Sequence, residues 1–406
     1  MNKLKNKLKY VGAGLLVTVG FIDPGNWATN VEAGSTYGYS LLWVITLSTI
    51  MLIVFQHNSA HLGIASGYCL SESIGKYIRK PWKQIWIISA IGAAICTALA
   101  ELLGGAIALQ MLFDIPIKAG AVMTGILVIT ALFGRSYEKV EIWIVGMVSI
   151  IGFGFIVELN LVDVDWTASA VSSVLPTIPM GSGILILGLL GAVVMPHNMF
   201  LHSDIIQQQH YFDQSEVVIK KKLKSEFKDT MLTMVIGWVI NSAMIIVAAA
   251  AFYNHVEVTD LVQAEKLLEP IAGKASSIIF AVALLLAGVS SSVTAGMAGG
   301  TIYSGLYQKS YDSNDKDSRI GILITILGGV ILIFFIGDPF QALIYSQMML
   351  SFQLPITIIL LIYLTSSKKV MGKFINKGLE KYALYFFASV VIFLNVLILI
   401  LQFTGS

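Results

Sequence analysis

Two stretches decide how this chain is read: Asp23-Pro24-Gly25-Asn26 and Met195-Pro196-His197-Asn198. Each sets polar groups able to bind a metal beside a helix breaker, and each lies inside a run otherwise apolar enough to cross a bilayer. Proline removes a backbone donor and restrains the residue before it. Glycine permits dihedrals closed to other residues. A helix opened in this way frees carbonyl groups, and non-helical backbone at membrane depth is tolerated only where it is buried in protein or lines a cavity. An ion site near the midplane of a transporter is the simplest physical reason to carry two such breaks.

The composition around the breaks agrees. Of 406 residues, 56% are hydrophobic and only 12% charged, with a mean hydropathy of +0.80. A soluble domain of this length would present far more charge to water, so the chain reads as an integral membrane protein whose outer surface meets lipid. Its 36 glycines suit close helix packing. A net charge of +2 gives no footprint for nucleic acid. Cys69 and Cys96 supply neither a disulfide framework nor a thiolate cluster. There is no glycine-rich phosphate loop and no soluble catalytic domain, which argues against an ATP-driven enzyme. No cofactor and no obligate protein partner are expected. Lys3, Lys5, Lys7 and Lys9 precede the first apolar run. That run is long, contains Asp23 and lacks a small-residue cleavage signal, so it is the first span rather than a signal peptide.

Apolar windows place spans near 10–33, 38–63, 86–112, 115–134, 140–161, 181–203, 230–252, 271–303, 319–337, 340–364 and 381–403. That is an all-α polytopic membrane protein with 11 transmembrane helices. Basic residues gather before span 1, between spans 2 and 3 (Lys76, Arg79, Lys80, Lys83), and after span 4 (Arg135, Lys139). They recur after span 6 (Lys220, Lys221, Lys222, Lys224, Lys228), span 8 (Lys309, Lys316, Arg319) and span 10 (Lys368, Lys369, Lys373, Lys377, Lys381). All fall on one side of the membrane if the N-terminus is cytoplasmic, which puts the C-terminus outside. The opposite loops are mostly short or acidic, as at Asp163-Val164-Asp165, and the lone Lys118, Lys266 and Lys274 are too sparse to reverse the bias. Residues 204–229 are expected to be an amphipathic cytoplasmic connection or a solvated linker, and 162–180 and 253–270 external loops that cover an entrance.

The breaks sit in spans 1 and 6. Five spans per repeat make the second repeat inverted relative to the first, resembling the five-plus-five plan of many secondary transporters. The expected divisions are 1–161 for the first repeat and 162–180 for an external loop. They continue with 181–364 for the second repeat and 365–406 for a cytoplasmic linker and an added span 11.

The residues themselves suggest a ligand set. Asp23 is a carboxylate inside an apolar window, a costly placement that a divalent cation relieves. A kinked helix with a satisfied polar network explains Asp23 equally well on its own. Asn26 adds a neutral oxygen. Met195 is a thioether, which favours transition metals over magnesium and calcium, although most methionines are packing residues. Unwinding before Pro196 frees a carbonyl around Ala192. His197 and His202 can bind metal, carry protons or hydrogen-bond across helices. Glu101 in span 3 is a proton acceptor or the partner of a buried polar group. Glu32 lines the entrance or meets headgroups. Gln347 and Gln353 offer neutral oxygens in span 10, with Gln347 the better placed. Ser290, Ser291, Ser292 and Thr294 are expected to hydrogen-bond or pack between helices. His57 and His61 lie four apart, a weak signal without other ligands, and His210 and His255 form no ligand spacing.

With these residues in view, the chain resembles the Nramp divalent-metal transporter family across essentially all of its spans. The carrying blocks are Asp23-Pro24-Gly25-Asn26-Trp27-Ala28-Thr29, Met195-Pro196-His197-Asn198 and Leu201-His202-Ser203. Ser346-Gln347 and Leu350-Ser351-Phe352-Gln353-Leu354-Pro355 add weaker support. The resemblance implies a leucine-transporter-like fold and uptake of Mn2+, Fe2+, Cd2+ or similar ions across a bacterial-type plasma membrane. It implies metal coordination by Asp23, Asn26, Met195 and the Ala192 carbonyl, with Gln347 joining in some states. It also implies a proton network of Glu101 and His197, with His202 as a further member. Three departures weaken the proton side. Ala98 stands where the family's span 3 usually has an acid, Val289 and Gly300 where it often has glutamines, and Asp317-Ser318-Arg319 does not clearly keep a basic pair. The soft Met195 argues against a magnesium-transporting branch. Rival readings are a cation-coupled carrier of a small organic solute and a membrane metal sensor that does not transport.

Overall fold

A computed structural model describes residues 22–134, 154, 157, 159, 160, 162–255, 258–263 and 274–404. Most of the fifth expected span and the first half of the first lie outside the described residues. The described residues are mostly helical. In chain order the helices are α1 (Pro24–Tyr37), α2 (Leu42–Ser66), α3 (Leu70–Tyr77), α4 (Trp82–Phe113), α5 (Ile117–Gly134), α6 (Trp166–Ser172) and α7 (Gly183–Val193). They continue with α8 (Pro196–Gln207), α9 (Glu216–Phe252), α10 (Lys274–Leu306), α11 (Lys316–Ile333), α12 (Pro339–Thr365), α13 (Lys368–Met371) and α14 (Gly378–Thr404). By length and composition, seven helical stretches among the described residues can cross a membrane, with α7 and α8 counted as one.

The bundle is apolar inside and out, as lipid requires. Trp27, Phe55, Phe200 and Phe340 are fully buried, while Ile88, Ile126, Phe335 and Phe393 face outward. The centre is built from α1, α4, α7, α8, α10 and α12. α4 packs along α10, α7 along α12, and α1 along α9. Backbones approach closely where glycines remove side chains. A Cβ on Gly191 of α7 would fall 1.9 Å from the Gln347 carbonyl oxygen of α12, and one on Gly34 of α1 would fall 2.5 Å from the Ile245 carbonyl of α9. α14 lies at the margin against α12 and α7, with only 33% of its apolar window buried.

Within 204–229 the structure shows an amphipathic helix and overturns the solvated-linker alternative. α8 runs on to Gln207, a short turn follows at Tyr211–Asp213, and α9 then continues without interruption from Glu216 through the expected span 7, 37 residues in all. The reason is a buried stripe within the basic segment. Ile219, Lys222, Glu226, Thr230 and Thr233 recur every three or four residues and face the protein. Lys220 and Glu216 add an ion pair of 2.7 Å one turn apart on the water side. The segment is therefore rod rather than linker.

The loop 162–180 contains α6, whose Asp165 side chain caps it by accepting from the Ala168 N–H at 2.9 Å. It is tied over the α1–α2 connection. Trp43 Nε1 donates to the Thr177 carbonyl at 2.8 Å, and the Thr177 hydroxyl donates to the Ser40 carbonyl at 2.8 Å. Of the loop 253–270, only 253–255 and 258–263 are described.

Candidate metal centre

The first break is the start of α1. Asp23 is extended (φ −93°, ψ 165°) and caps the helix, its Oδ1 accepting the Asn26 N–H at 2.7 Å. Pro24 follows at the first helical position, where a missing donor does no harm. The second break comprises Val194 (φ −101°, ψ 70°) and Met195 (φ −74°, ψ 119°), which separate α7 from α8. Ala192 lies in the last turn of α7, where carbonyls lose their intrahelical donors.

The two breaks touch. Asn26 Nδ2 donates to the Ala192 carbonyl at 3.1 Å. That leaves the carbonyl a second lone pair and leaves Asn26 Oδ1 without a partner. Gln347 of α12 reaches the same place, since a Cβ on Gly25 would fall 1.8 Å from its Nε2. Gly104 of α4 admits Pro24 in the same manner, at 2.0 Å. Met195 is fully buried against Ala93 and Leu350, with Cys96 beside them, and Asn198 Nδ2 lies 3.6 Å from its sulfur. Of the residues singled out in the sequence, Asp23, Asn26, Ala192 and Gln347 meet at the contact between the breaks, while Met195 belongs to the second break with its side chain against Ala93 and Leu350.

The chemistry of this neighbourhood is unusual for a protein interior. Asp23 Oδ2, Asn26 Oδ1, Asn198 Oδ1 and Gln347 Oε1 are buried acceptors with no hydrogen-bond partner. Other unpaired buried atoms, such as Ser48 Oγ and Thr301 Oγ1, are scattered through the bundle; here four acceptors belong to the two breaks and the helix beside them, and such exceptions to the usual pairing need a reason. No group of three His, Cys, Asp or Glu side chains suited to a metal occurs among the described residues. The available donors are therefore one carboxylate, neutral oxygens and a thioether. That set suits a soft or borderline divalent ion better than a hard one.

The other candidates divide. Glu101 of α4 accepts a hydrogen bond from the Ser291 hydroxyl of α10 and lies within electrostatic reach of Asp23. Ser290, Ser292 and Thr294 bond instead to carbonyls of their own helix. His197 Nδ1 lies 3.0 Å from the Thr97 hydroxyl. His202 is buried elsewhere on α8, with Nδ1 3.3 Å from Gln56 Oε1. Gln353 is engaged by Thr357 at 3.0 Å, and Glu32 is half-buried on α1. Ala98 packs against α11, where a Cβ on Gly329 would fall 3.1 Å from the Ala98 Cβ. Ala98, where the resemblance implied an acid, is thus a point of helix contact.

Glu226 of α9 was not singled out in the sequence. Its Oε2 lies 2.5 Å from His57 Nδ1, and its Oε1 accepts the Thr230 hydroxyl at 2.5 Å. It sits in a lysine-rich run that looks solvated. Only its place in the three-to-four-residue stripe marks it as buried.

The model of the family described as natural resistance-associated macrophage protein-like (Nramp) matches residues 14–401. A divalent metal cation transporter MntH of Caldanaerobacter subterraneus subsp. tengcongensis is 39% identical, covering 100% of this chain and 96% of the relative. One from Clostridium acetobutylicum is 38% identical, covering 99% and 93%. The crystal structure of the Eremococcus coleocola manganese transporter superposes with a TM-score of 0.80 at 28% identity, covering 97% of this chain and 86% of the other. A nucleobase-cation-symport-1 family transporter shares the fold alone, with a TM-score of 0.67 at 13% identity over 96% of this chain and 91% of the other. The architecture is the leucine-transporter-like helical fold. With the family model spanning nearly the whole chain and relatives matching end to end, this chain belongs to the Nramp family of membrane proteins.

Proposed function

We propose that this protein imports divalent transition-metal ions, foremost Mn2+, by alternating access. The observation that carries the proposal is the contact between two helix breaks at unpaired buried oxygens, with the Met195 thioether in the second break. The relatives' names, which describe divalent metal cation and manganese transporters, support the same reading. Asp23 Oδ2 supplies the negative charge. Asn26 Oδ1, the Ala192 carbonyl and the Met195 sulfur supply neutral ligands, and Gln347 Oε1 joins when α12 is close. Water completes the shell. The cap on Oδ1 and the hydrogen bond from Asn26 to Ala192 fix these donors in place, so little reorganisation opposes binding.

In this reading residues 1–161 and 181–364 are inverted repeats. The ion enters from the side of the 162–180 loop and leaves on the lysine-rich, cytoplasmic side. Movement of α1 and α8 about Pro24, Gly25 and Pro196 closes one path and opens the other. With Ala98 where the resemblance implies an acid, proton coupling through α4 is weakened or absent in this reading. No step makes or breaks a covalent bond, so the activity is transport rather than catalysis.

Sealed proteoliposomes test the proposal. Mn2+ influx that saturates, is competed by Fe2+ or Cd2+ and resists a large excess of Ca2+ and Mg2+ is expected. Influx of a small organic solute without competition by metals would sink it, and so would Mn2+ binding by folded protein without influx.

A further inference from the structure

Three helices contribute one buried cluster outside the metal centre: His57 from α2, His202 from α8 and Glu226 from α9. Glu226 uses both carboxylate oxygens. Oε2 meets His57 Nδ1 at 2.5 Å, while Oε1 holds the Thr230 hydroxyl and lies 3.9 Å from His202 Nε2. The far nitrogen of His202 faces Gln56 Oε1 at 3.3 Å. Side-chain exposure rises in order, from 1% at His202 through 3% at Glu226 to 14% at His57. The remaining titratable groups facing the cluster are His61, whose ring stacks 6.3 Å from that of His57 on α2, Lys222 and Asp229 on α9, and Glu380 on α14.

We propose that His202, Glu226 and His57 form a proton relay that discharges protons at the lysine-rich end of the bundle, in place of the route weakened or absent at Ala98. The relay rests on the metal-transport reading above. A proton on His202 Nε2 passes to Glu226 Oε1. The proton shared along the Oε2–Nδ1 contact settles on His57 Nδ1, and the Nε2 proton of His57 leaves to water. His202 takes a replacement proton from water in the transport path, and rotation of the Glu226 carboxyl and the His57 ring returns the Oε1 proton to the Glu226–His57 contact, so that per cycle one proton enters at His202 and one leaves at His57. Imidazole and carboxyl groups suit such exchange because their ordinary pKa values, about 6.5 and about 4.3, lie within a few units of each other, unlike those of lysine or arginine. The 3.9 Å gap is too long for a hydrogen bond. It lies between α8, a half of the broken span, and α9, a continuous rod, so any shift of α8 opens or closes the relay. That ties proton passage to the transport cycle.

The test records Mn2+ influx and internal pH together in sealed proteoliposomes, with Mn2+ binding measured separately on the same protein. Wild-type influx accompanied by acidification is expected. Glu226→Gln and His57→Gln both keep hydrogen-bonding groups but cannot relay a proton. Each should lower the protons delivered per Mn2+ by at least about tenfold while leaving Mn2+ binding unchanged. His57→Gln, at the partly exposed end, guards against misfolding of the Glu226 variant. Acidification per Mn2+ unchanged in both variants would overturn the relay. So would loss of influx and acidification together with binding retained, which marks the cluster as a tether. Wild-type influx without acidification would overturn the relay and leave the metal reading standing. Folded wild-type protein that moves no Mn2+ would remove both.

Discussion

At the scale of single residues, the two oxygens of Asp23 are in different situations, and the proposed function gives them different tasks. Oδ1 caps α1, while Oδ2 stands unpaired where the helix breaks meet. The tasks separate by mutation. Asparagine caps a helix as well as aspartate, whereas alanine costs about 1 kcal/mol. Asp23→Asn should therefore keep the wild-type thermal midpoint and Asp23→Ala should lower it, while Mn2+ influx falls more than about 100-fold in both. Influx retained in Asp23→Asn would show that the charge is not needed. Met195→Leu conserves volume and removes the sulfur. Competition titrations with Ca2+ should show the preference for Mn2+ reduced about tenfold, since the soft ligand is what disfavours a hard ion. These donors were legible in the sequence because aspartate, proline and methionine are conspicuous in a hydrophobic run. Asn198 was quoted only as part of a motif, and its unpaired Oδ1 emerged from the geometry. Glu226 was hidden because a carboxylate among five lysines reads as a solvated surface.

At the scale of elements, the helix crossings are set by what is absent from them. A Cβ on Gly191 would meet the Gln347 carbonyl oxygen at 1.9 Å and the Ser351 nitrogen at 2.8 Å, backbone atoms that cannot swing aside. Gly191→Ala should push α7 from α12 and destabilise the protein by roughly 1–3 kcal/mol. Gly92 in α4 has nothing within 4 Å of its Cβ position. Gly92→Ala should be neutral or stabilising by up to about 1 kcal/mol. Thermal melts of the two variants in detergent test the pair, and equal midpoints would show that the α7–α12 contact yields. The windows of hydropathy found the described spans because bilayer thickness fixes helix length. They missed the start of α9 for a physical reason. Hydropathy averages around the whole helix, and the stripe from Ile219 to Thr233 buries one side while the lysines on the other side remain in water. Glycine contacts were equally invisible, because composition counts glycines without saying what each one faces.

At the scale of the whole molecule, the cargo carries two positive charges. Crossing the full field releases about 4.6 kcal/mol per 100 mV with the inside negative. Mn2+ influx should therefore quicken as an imposed potential is made more negative inside, and indifference to voltage would mean that the moving site is neutralised. The proposed orientation has its own check. Lys221→Cys should react with a membrane-impermeant maleimide only from the cytoplasmic side, and Val174→Cys, in the exposed 162–180 loop, only from outside. The reverse pattern would invert the topology. Orientation was read from loop charges, which bias insertion without fixing any packing contact.

α9 also has a mechanical consequence. Its 37 residues span about 55 Å at the helical rise, against a hydrocarbon core of about 30 Å. One end carries lysines suited to the headgroup layer. The other packs on α1, where Asn30 Nδ2 donates to Asn241 Oδ1 at 2.7 Å. A rod held in this way cannot shorten. A thinner or thicker bilayer must tilt it or be deformed by it, and a tilt would bear directly on the helix that carries Asp23. The protein is in that sense a gauge of membrane thickness: its turnover should peak in lipids of one acyl-chain length and decline on both sides of it.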